Sequence, residues 1–361
     1  MKFSLPQFGR RSIVGLDVGS HSVKAVEIGL KGKDKGFELR GLGIAPMPPE
    51  SIVQGAFLNS SGIVDAIREA ISFGQIRSKD VVAAVAGHSV IVKRVSLPVM
   101  SRQELEGQIQ FEAEQYIPFD VNEVNLDFQV LNESNVEGQM DVLLVAAKKD
   151  LIDDYCHVIR EAGLNPIAVD VAAFAIENAY EVNYDVSEDS EEVTALVNIG
   201  AEVVNINVIQ GGVPAFTRDI TTGGNQYTEE IQKAVSISFE EAERLKIGDN
   251  STESSQDVVP QEVEHAIRAV TDNVVGEISR SLDFFTATST ESRIGKVLLC
   301  GGGARVSGFA ESFRDRTGFE VDVMDPLVRM LPSKNFDPAF LAQVGPSLGV
   351  GIGLATRRVG V

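Results

Sequence analysis

Tryptophan is absent from the 361 residues, and aromatic residues make up only 6% of them. A platform of aromatic rings that stacks on sugars or nucleobases is therefore not expected. Positive charge is also scarce, since 32 Lys and Arg stand against 52 Asp and Glu, which gives a formal net charge of −20. A surface of that sign repels phosphate backbones and anionic lipids, so we expect no nucleic-acid partner and no broad contact with a membrane surface.

Cysteine and histidine are too few and too scattered to indicate a disulfide or a metal site. The two cysteines, Cys156 and Cys300, lie far apart, which indicates reduced thiols in a cytoplasmic protein. None of the four histidines stands four residues from another, so the sequence shows no zinc-binding pair on a helix.

Long apolar runs are rare as well. Residues 1–10 lack the apolar core of a signal peptide. The longest uncharged stretch, 338–356, contains two prolines and four glycines, so we do not expect it to span a membrane. Its glycines predict a strand, a turn and a helix there. The chain is therefore expected to be cytoplasmic, without a transmembrane segment of its own.

Strand and helix patterns alternate along the chain, which is typical of an α/β fold. A strand, a tight turn and a second strand occupy 12–28, and the same arrangement recurs from Val193. The triplets at 17–19 and 198–200 then fall at the same place in the two units. This long-range repeat indicates two related halves. The acidic run 181–192 is typical of a linker between them.

Glycine turns follow apolar strands in both halves, and such turns expose backbone N–H groups that can bind phosphate oxygens. Asp17, at the end of the first strand, could hold Mg²⁺ through water. Lys24, on the returning strand, could reach β- and γ-phosphates. Two such hairpins, one in each half, predict a polyphosphate site between the halves.

These turns resemble the nucleotide motifs of the actin-like ATPase superfamily. The segment 17–24 is similar to its phosphate-1 motif, 198–201 to its phosphate-2 motif and 299–304 to its adenosine motif. The segments 165–170 and 345–350 are similar to its two connecting segments. The resemblance implies an α/β, two-lobed actin-like ATPase fold with duplicated ribonuclease H-like halves, which binds ATP and Mg²⁺ between its lobes.

A more specific resemblance lies in the segments 97–105, 111–119 and 126–131. They are typical of the extra subdomain, 1C, of the PilM family of type IV pilus assembly proteins, whose relative in cell division is FtsA. The resemblance implies binding of the N-terminal cytoplasmic tail of PilN in a groove between subdomains 1A and 1C. It also implies work with other pilus inner-membrane assembly proteins, at the inner face of the inner membrane.

The resemblance also implies how the subdomains follow one another. The helix at 240–246 is similar to the one that contacts ribose in bacterial members, which places it in subdomain 2B. The expected order is 1A (first part) 12–82, 1C 83–165, a return to 1A and the linker 166–192, 2A (first part) 193–225, 2B 226–290, 2A (second part) 291–335 and a return to 1A at 336–361.

The site residues implied by the resemblance come from both lobes. Asp17 is the residue expected to hold Mg²⁺, through water. Glu243 and Lys246 are expected at the ribose, with a salt-bridged surface helix as the alternative. His21 and Arg305 are expected either at the nucleotide or facing solvent. The nucleotide-binding set, which includes no assigned catalytic residue, is Asp17, Gly19, Ser20, His21, Ser22, Lys24, Asn198, Gly200, Ala201, Glu202, Gly223, Gly224, Asn225, Glu243, Lys246, Gly301, Gly302, Gly303 and Arg305.

One position departs from the superfamily pattern. The phosphate-2 position is often Asp and here is Asn198, while Glu202 and Val203 replace the Ser or Thr that often follows the turn. An Asn side chain cannot act as a general base. Backbone N–H groups of Gly200 and Ala201 could still bind phosphate, so we expect ATP to be bound and hydrolysed slowly or not at all.

Two other functions stay open at this point. An FtsA-like filament that recruits proteins to the membrane would use the same fold, and self-association would mark it. A small-metabolite kinase would need a catalytic Asp over a substrate hydroxyl, for which Asp170 and Asp219 are available. The 1C segment has no place in a sugar kinase and favours the pilus scaffold.

Overall fold

The computed structural model describes residues 12–30, 36–135, 137–184, 192–247, 261–289, 293–332 and 336–357. Residues 185–191 of the predicted linker and 358–361 of the predicted last segment lie outside this part of the chain. The strands are β1 (Ile13–Val18), β2 (Ser22–Leu30), β3 (Phe37–Pro46), β4 (Ile52–Val53), β5 (Ala56–Phe57), β6 (Asp80–Val85), β7 (Val90–Pro98), β8 (Val124–Asn132), β9 (Gln139–Lys148), β10 (Asn165–Val171), β11 (Val193–Ile199), β12 (Val204–Gln210), β13 (Val213–Ile220), β14 (Ile294–Cys300), β15 (Glu320–Val323) and β16 (Met330–Pro332). The helices are α1 (Ser60–Phe73), α2 (Arg102–Ala113), α3 (Lys149–Glu161), α4 (Ala172–Asn183), α5 (Gly224–Val235), α6 (Phe239–Ile247), α7 (Gln261–Thr288), α8 (Phe309–Thr317), α9 (Pro338–Val344) and α10 (Gly349–Thr356).

Two mixed sheets form the centres of two lobes and share one strand order. The first runs β10-β6-β1-β2-β3, with β16 added beside β3. The second, written in the same direction, runs β15-β14-β11-β12-β13. In each sheet an antiparallel three-stranded meander is extended by two parallel strands. The equal order confirms the predicted α/β fold with duplicated halves.

Helices cover both faces of the first sheet, which explains why its central strands are apolar almost throughout. Helices α1 and α3 contribute to the core on one face, and α4 and α10 to the core on the other. The second core also contains Leu196 and Leu298 of the second sheet. The α4–α10 layer therefore packs between the lobes and joins them.

The glycine-rich C-terminal stretch is helical, so the predicted strand and turn there are wrong. An added Cβ at Gly15 would lie 1.9 Å from the carbonyl oxygen of Gly351, and one at Gly353 would lie 1.6 Å from that of Ala175. The glycines therefore let α10 lie directly against β1 and α4. The stretch Pro338–Thr356 is long and apolar enough to cross a membrane, but most of it is buried inside the structure, as in a core helix.

A third sheet, ordered β7-β9-β8, is inserted between β6 and α3. Helix α2 covers one of its faces through Leu105, Ile109 and Ala113, and begins with the predicted capping box at Ser101. Strand β6 lies entirely in the first sheet, and α3 packs on that sheet's core. Because β6 and α3 belong to the first lobe, the inserted unit itself consists of β7–β9 and α2, which lie within the predicted range 83–165. The limits of the subdomains stay a prediction.

Helices α5, α6 and α7 lie on the second lobe. The apolar stripe predicted for α7 is buried, as at Val274, Ile278 and Leu282. Helix α6 packs on α5 and α7 through Ala242, in a small core of its own. This arrangement fixes α6 beside the start of α5, where the candidate site lies.

Candidate functional site

The turn between β1 and β2 carries the first group of candidate residues. Asp17 and Lys24 are direct cross-strand partners and form a salt bridge of 3.1 Å, with only 20% and 15% of their side chains exposed. The Gly19 N–H donates to the Ser22 carbonyl at 3.2 Å and closes the turn, with Ser20 half-buried between them. The ammonium group is thus held in place at the strand ends, beside the exposed tip of the turn.

The turn between β11 and β12 repeats this geometry in the second lobe. Asn198 and Asn205 are cross-strand partners at the same spacing as Asp17 and Lys24. The Gly200 N–H donates to the carbonyl of residue 203 at 3.0 Å, as its counterpart does in the first lobe. Because the Gly200 N–H is engaged inside the turn, the groups left to bind a phosphate are the N–H groups that follow it.

Helix α5 begins directly on the second turn. The Gly224 N–H donates to the Gly200 carbonyl and the Asn225 N–H to the Ala201 carbonyl, both at 2.9 Å. An added Cβ at Gly223 would lie 2.6 Å from each of these two oxygens. Only glycine at that position permits this approach of α5 to the turn.

The predicted ribose pair lies at the same place. The Lys246 ammonium donates to the Gly224 carbonyl at 3.3 Å and to the Thr228 hydroxyl at 3.0 Å, and it forms a salt bridge with Glu243. The two charged side chains are only 10% and 15% exposed, so this is not a solvated surface pair. Burial lowers the pKa of Lys246, whereas Glu243 opposes that change.

His21 connects the first turn with α6. More than a third of His21 is accessible to solvent, yet the surrounding protein lowers its pKa, chiefly through desolvation. The Glu243 carboxylate opposes this change, while Lys246 and Lys24 reinforce it. Because the charges of Lys24 in the first lobe and of the α6 pair in the second both act on His21, the first turn and α6 lie close to each other.

The glycines after β14 pack against the end of β11. Added Cβ atoms would lie 2.6 Å from Asn198 Oδ1 at Gly301 and 2.3 Å from Ile199 Cγ2 at Gly303. The Gly301 N–H donates to the Pro346 carbonyl at 2.7 Å. The predicted adenosine segment and the second connecting segment therefore meet beside the phosphate-2 turn.

Two of the predicted residues lie more openly. An added Cβ at Gly302 would meet no atom within 4 Å, which leaves space above the turn after β14. Arg305, at the end of that turn, is exposed. The structure thus brings the other glycine turns and the α6 pair together and leaves Arg305 facing solvent, one of its two predicted positions.

Two hydrogen bonds cross between the lobes beside the site. Glu202 accepts the Gln54 N–H at 3.0 Å, and Asp219 accepts the Gly87 N–H at 2.6 Å. Burial raises the pKa of both carboxyl groups, and these hydrogen bonds oppose the rise. The contacts of Asn205 and Asp219 were missed from the sequence, although a polar residue inside the apolar strand β12 is a detectable signal.

The donor set fits a nucleotide that carries Mg²⁺. Backbone N–H groups at two glycine turns, with Lys24 and Lys246, suit phosphate oxygens. The described residues contain no cluster of three or more His, Cys, Asp or Glu side chains that could hold a metal ion. A Mg²⁺ ion bound to phosphates keeps several waters and needs only one or two carboxylates, such as Asp17.

Comparisons with known proteins agree with this fold. A family model for the type IV pilus assembly protein PilM matches residues 15–359. A solved PilM-PilN type IV pilus biogenesis complex is 28% identical, with 98% of this chain and 100% of that chain covered and a TM-score of 0.84. MreB 5 of Spiroplasma citri, solved bound to AMPPNP, is 12% identical over 96% of this chain and 95% of that chain, with a TM-score of 0.52, and shows a shared fold.

A more distant relative comes from cell division. FtsA of Bacillus subtilis (strain 168) is 22% identical over 259 residues, which are 64% of this chain and 57% of FtsA. The chain thus spans less than two thirds of the length of this relative. Taken together, the two repeated lobes, the inserted sheet and the family match show that the chain has an actin-like ATPase fold and belongs to the PilM family of type IV pilus assembly proteins.

Proposed function

We propose that this protein is a cytoplasmic scaffold of the type IV pilus inner-membrane assembly complex. It binds Mg-ATP between its lobes and the N-terminal cytoplasmic tail of a PilN-type protein, which places it at the inner face of the membrane. The proposal that the protein binds Mg-ATP is supported by one observation: both glycine turns lie close to Lys24 and Lys246. The proposal that it binds a PilN-type tail rests on family membership and on the likeness to a PilM-PilN complex.

In the proposed complex the first turn contributes charged side chains and the second turn contributes backbone N–H groups. Lys24 neutralises phosphate charge, and Asp17 accepts hydrogen bonds from the waters of Mg²⁺. The N–H groups of Ala201 and Glu202 bind phosphate oxygens in the second lobe, since that of Gly200 is engaged in the turn. Bound Mg²⁺ would supply charge neutralisation for the phosphates.

Hydrolysis is proposed to be slow or absent, because Asn198 cannot take a proton from water. The two carboxylates that a metabolite kinase could use are engaged elsewhere. Asp170 forms a salt bridge with Arg357 and accepts the Val171 N–H at 2.8 Å, while Asp219 is engaged by two N–H donors. This favours a binding role over phosphoryl transfer.

Calorimetry with ATP, with and without Mg²⁺, tests the proposed nucleotide binding, and a single-turnover assay tests hydrolysis. We expect saturable binding at one site per chain and little phosphate release within minutes. Fast release would contradict the proposed role of Asn198. Light scattering with Mg-ATP separates this scaffold from a filament, since growth of scattering would favour the FtsA-like alternative.

The open face of the inserted sheet is the proposed wall of the partner groove. We define the open face by Arg94 and Gln129, exposed side chains on the two outer strands of this sheet that flank the buried Leu143 in register and lie opposite the α2 side. Val92 and Val145, on the same side of the inserted sheet, pack against the core of the first sheet. The open face therefore borders the first sheet, and the partner groove is proposed to lie between the two.

A peptide titration tests the proposed binding of the PilN-type tail. A synthetic PilN cytoplasmic tail from the same organism is added to the Mg-ATP-loaded protein, and one-to-one binding is expected. Gln129→Arg puts a long charged side chain on the open face and should weaken binding about tenfold or more. Gln110→Arg makes the same change at an exposed position of α2, on the covered side, and should leave binding unchanged. Equal effects of both substitutions would show that the peptide does not bind at the open face.

A further inference from the structure

A chain of hydrogen bonds runs across three strands of the second lobe. The Asn198 Nδ2 group donates to Asn205 Oδ1 at 2.9 Å, and Asn205 Nδ2 donates to Asp219 Oδ1 at 2.8 Å. The second oxygen of Asp219 accepts the Gly87 N–H of the first lobe at 2.6 Å. Each pair of side chains occupies directly opposed positions on neighbouring strands, so the sheet register itself aligns the chain. We call these three side chains the amide relay.

The direction of the amide relay follows from its last member. A carboxylate that receives two N–H donors can only accept, so Asp219 requires the NH₂ end of Asn205. An amide has one donor end and one acceptor end, so Asn205 must turn its oxygen to Asn198. Asn198 must then use its own NH₂ in the relay. Its oxygen is left on the opposite side, where it accepts a weak hydrogen bond from the Cys300 thiol, with Sγ at 3.9 Å, and packs against Gly301.

We propose that Asp219 is a positioning residue: through Asn205 it makes Asn198 present a carbonyl oxygen, rather than an NH₂ group, at the end of β11. This inference rests on the proposed binding of Mg-ATP between the lobes. A water bound to Mg²⁺ points its hydrogens outward, so an oxygen accepts a hydrogen bond from it and an NH₂ group does not. The relay lets a neutral Asn keep the acceptor that an Asp would offer at this position, without its charge.

Exchanging the two end residues tests this directly, because each substitution has a defined effect on the relay. In Asp219→Asn, the new amide can accept from Gly87 and donate to Asn205, so every bond can form with the relay reversed. Asn198 then presents its NH₂ group. In Asn198→Asp, carboxylates stand at both ends of Asn205, which has a single NH₂ group, so one of them faces an oxygen. The double variant restores all bonds and places a carboxylate at position 198.

The first readout is the ratio of ATP affinities with and without Mg²⁺, measured by calorimetry. Asp219→Asn should lower this ratio about tenfold and leave binding without Mg²⁺ nearly unchanged. The double variant should recover the ratio. Asp322→Asn is the matched control, since it makes the same change at an exposed salt bridge to Lys296 on the same lobe and should have no effect.

The second readout is urea unfolding of the four proteins without ligand. Asn198→Asp should lower the folding equilibrium constant about tenfold or more, and adding Asp219→Asn should recover most of that loss. Additive effects in this cycle would overturn the relay. If Asp219→Asn alone failed to fold, Asn198→Asp is compared with the double variant, and a double variant no more stable than Asn198→Asp would overturn the relay. If wild type binds no ATP, the proposed function fails. If wild type binds ATP and Asp219→Asn keeps its full dependence on Mg²⁺, the proposed function stands and this inference fails.

Discussion

Replacing Gly223 by alanine tests how closely α5 must approach the second turn. The added Cβ would lie 2.6 Å from the carbonyl oxygens of Gly200 and Ala201, whereas ordinary contact begins at 3.4 Å, so about 0.8 Å must be recovered. Both oxygens belong to the backbone and accept the Gly224 and Asn225 N–H groups at 2.9 Å. Moving them apart weakens two hydrogen bonds, each of which contributes about 0.5–1.5 kcal/mol. The φ angle of 174° is open to alanine, so the effect is steric.

We therefore expect Gly223→Ala to lower the free energy of unfolding by about 1–3 kcal/mol, and to weaken ATP binding as well. Equilibrium unfolding in urea measures the first effect and calorimetry the second. Gly302→Ala is the matched control, since its Cβ meets no atom within 4 Å, and its stability should stay within about 0.5 kcal/mol of wild type or rise slightly. A Gly223→Ala protein as stable as this control would refute the steric reasoning.

Three further predictions concern other parts of the molecule. Gly353→Ala, whose Cβ would lie 1.6 Å from the Ala175 carbonyl oxygen, should lower the urea midpoint more than Gly223→Ala does, and an equal or smaller shift would contradict the packing of α10. Burial raises the pKa of Glu177 to about 8, so the folded chain keeps a proton that the unfolded chain releases. The contribution of this group to stability should thus fall by about 1.4 kcal/mol per pH unit between about pH 4.5 and 8, and Glu177→Gln should remove this slope in pH-dependent unfolding. Lys246→Gln should weaken ATP binding about tenfold in calorimetry, whereas Lys296→Gln, at a salt bridge with Asp322 on the second sheet, should not.

The two turns were predictable because their signals are local. A glycine two residues beyond Asp17, and another two beyond Asn198, fixes where each strand pair reverses. The repeat followed from these positions and is confirmed by the equal strand order of the lobes. The stripe of α7 was predictable for a similar reason, because a helix period of 3.6 leaves its mark on consecutive residues.

The glycines of α10 were misread because one chemical property serves two purposes. A missing Cβ permits a tight turn, and it equally permits a helix to lie on a neighbouring backbone, as at Gly351 and Gly353. The sequence does not tell these uses apart, since the second depends on which element packs opposite. The burial of α10 between β1 and α4 settles it as a core helix.

The amide relay lies beyond sequence reasoning for a different reason. Asn205 in an apolar strand indicates a buried polar contact, but its partners are set by the register of three strands. The Gly87 N–H comes from the other lobe, at the root of the inserted sheet. Asp219 could be considered from the sequence only as a free carboxylate, and the tertiary structure shows it engaged on both oxygens.

Hydrogen–deuterium exchange with and without Mg-ATP tests the central claim most directly, because it reads both lobes at once. We expect added protection in 17–24 of the first lobe and in 198–203 and 239–247 of the second, where the two turns and α6 meet. Protection of both lobes by Mg-ATP would support a nucleotide held between them. Measured binding with protection in one lobe only, or away from these segments, would contradict the account.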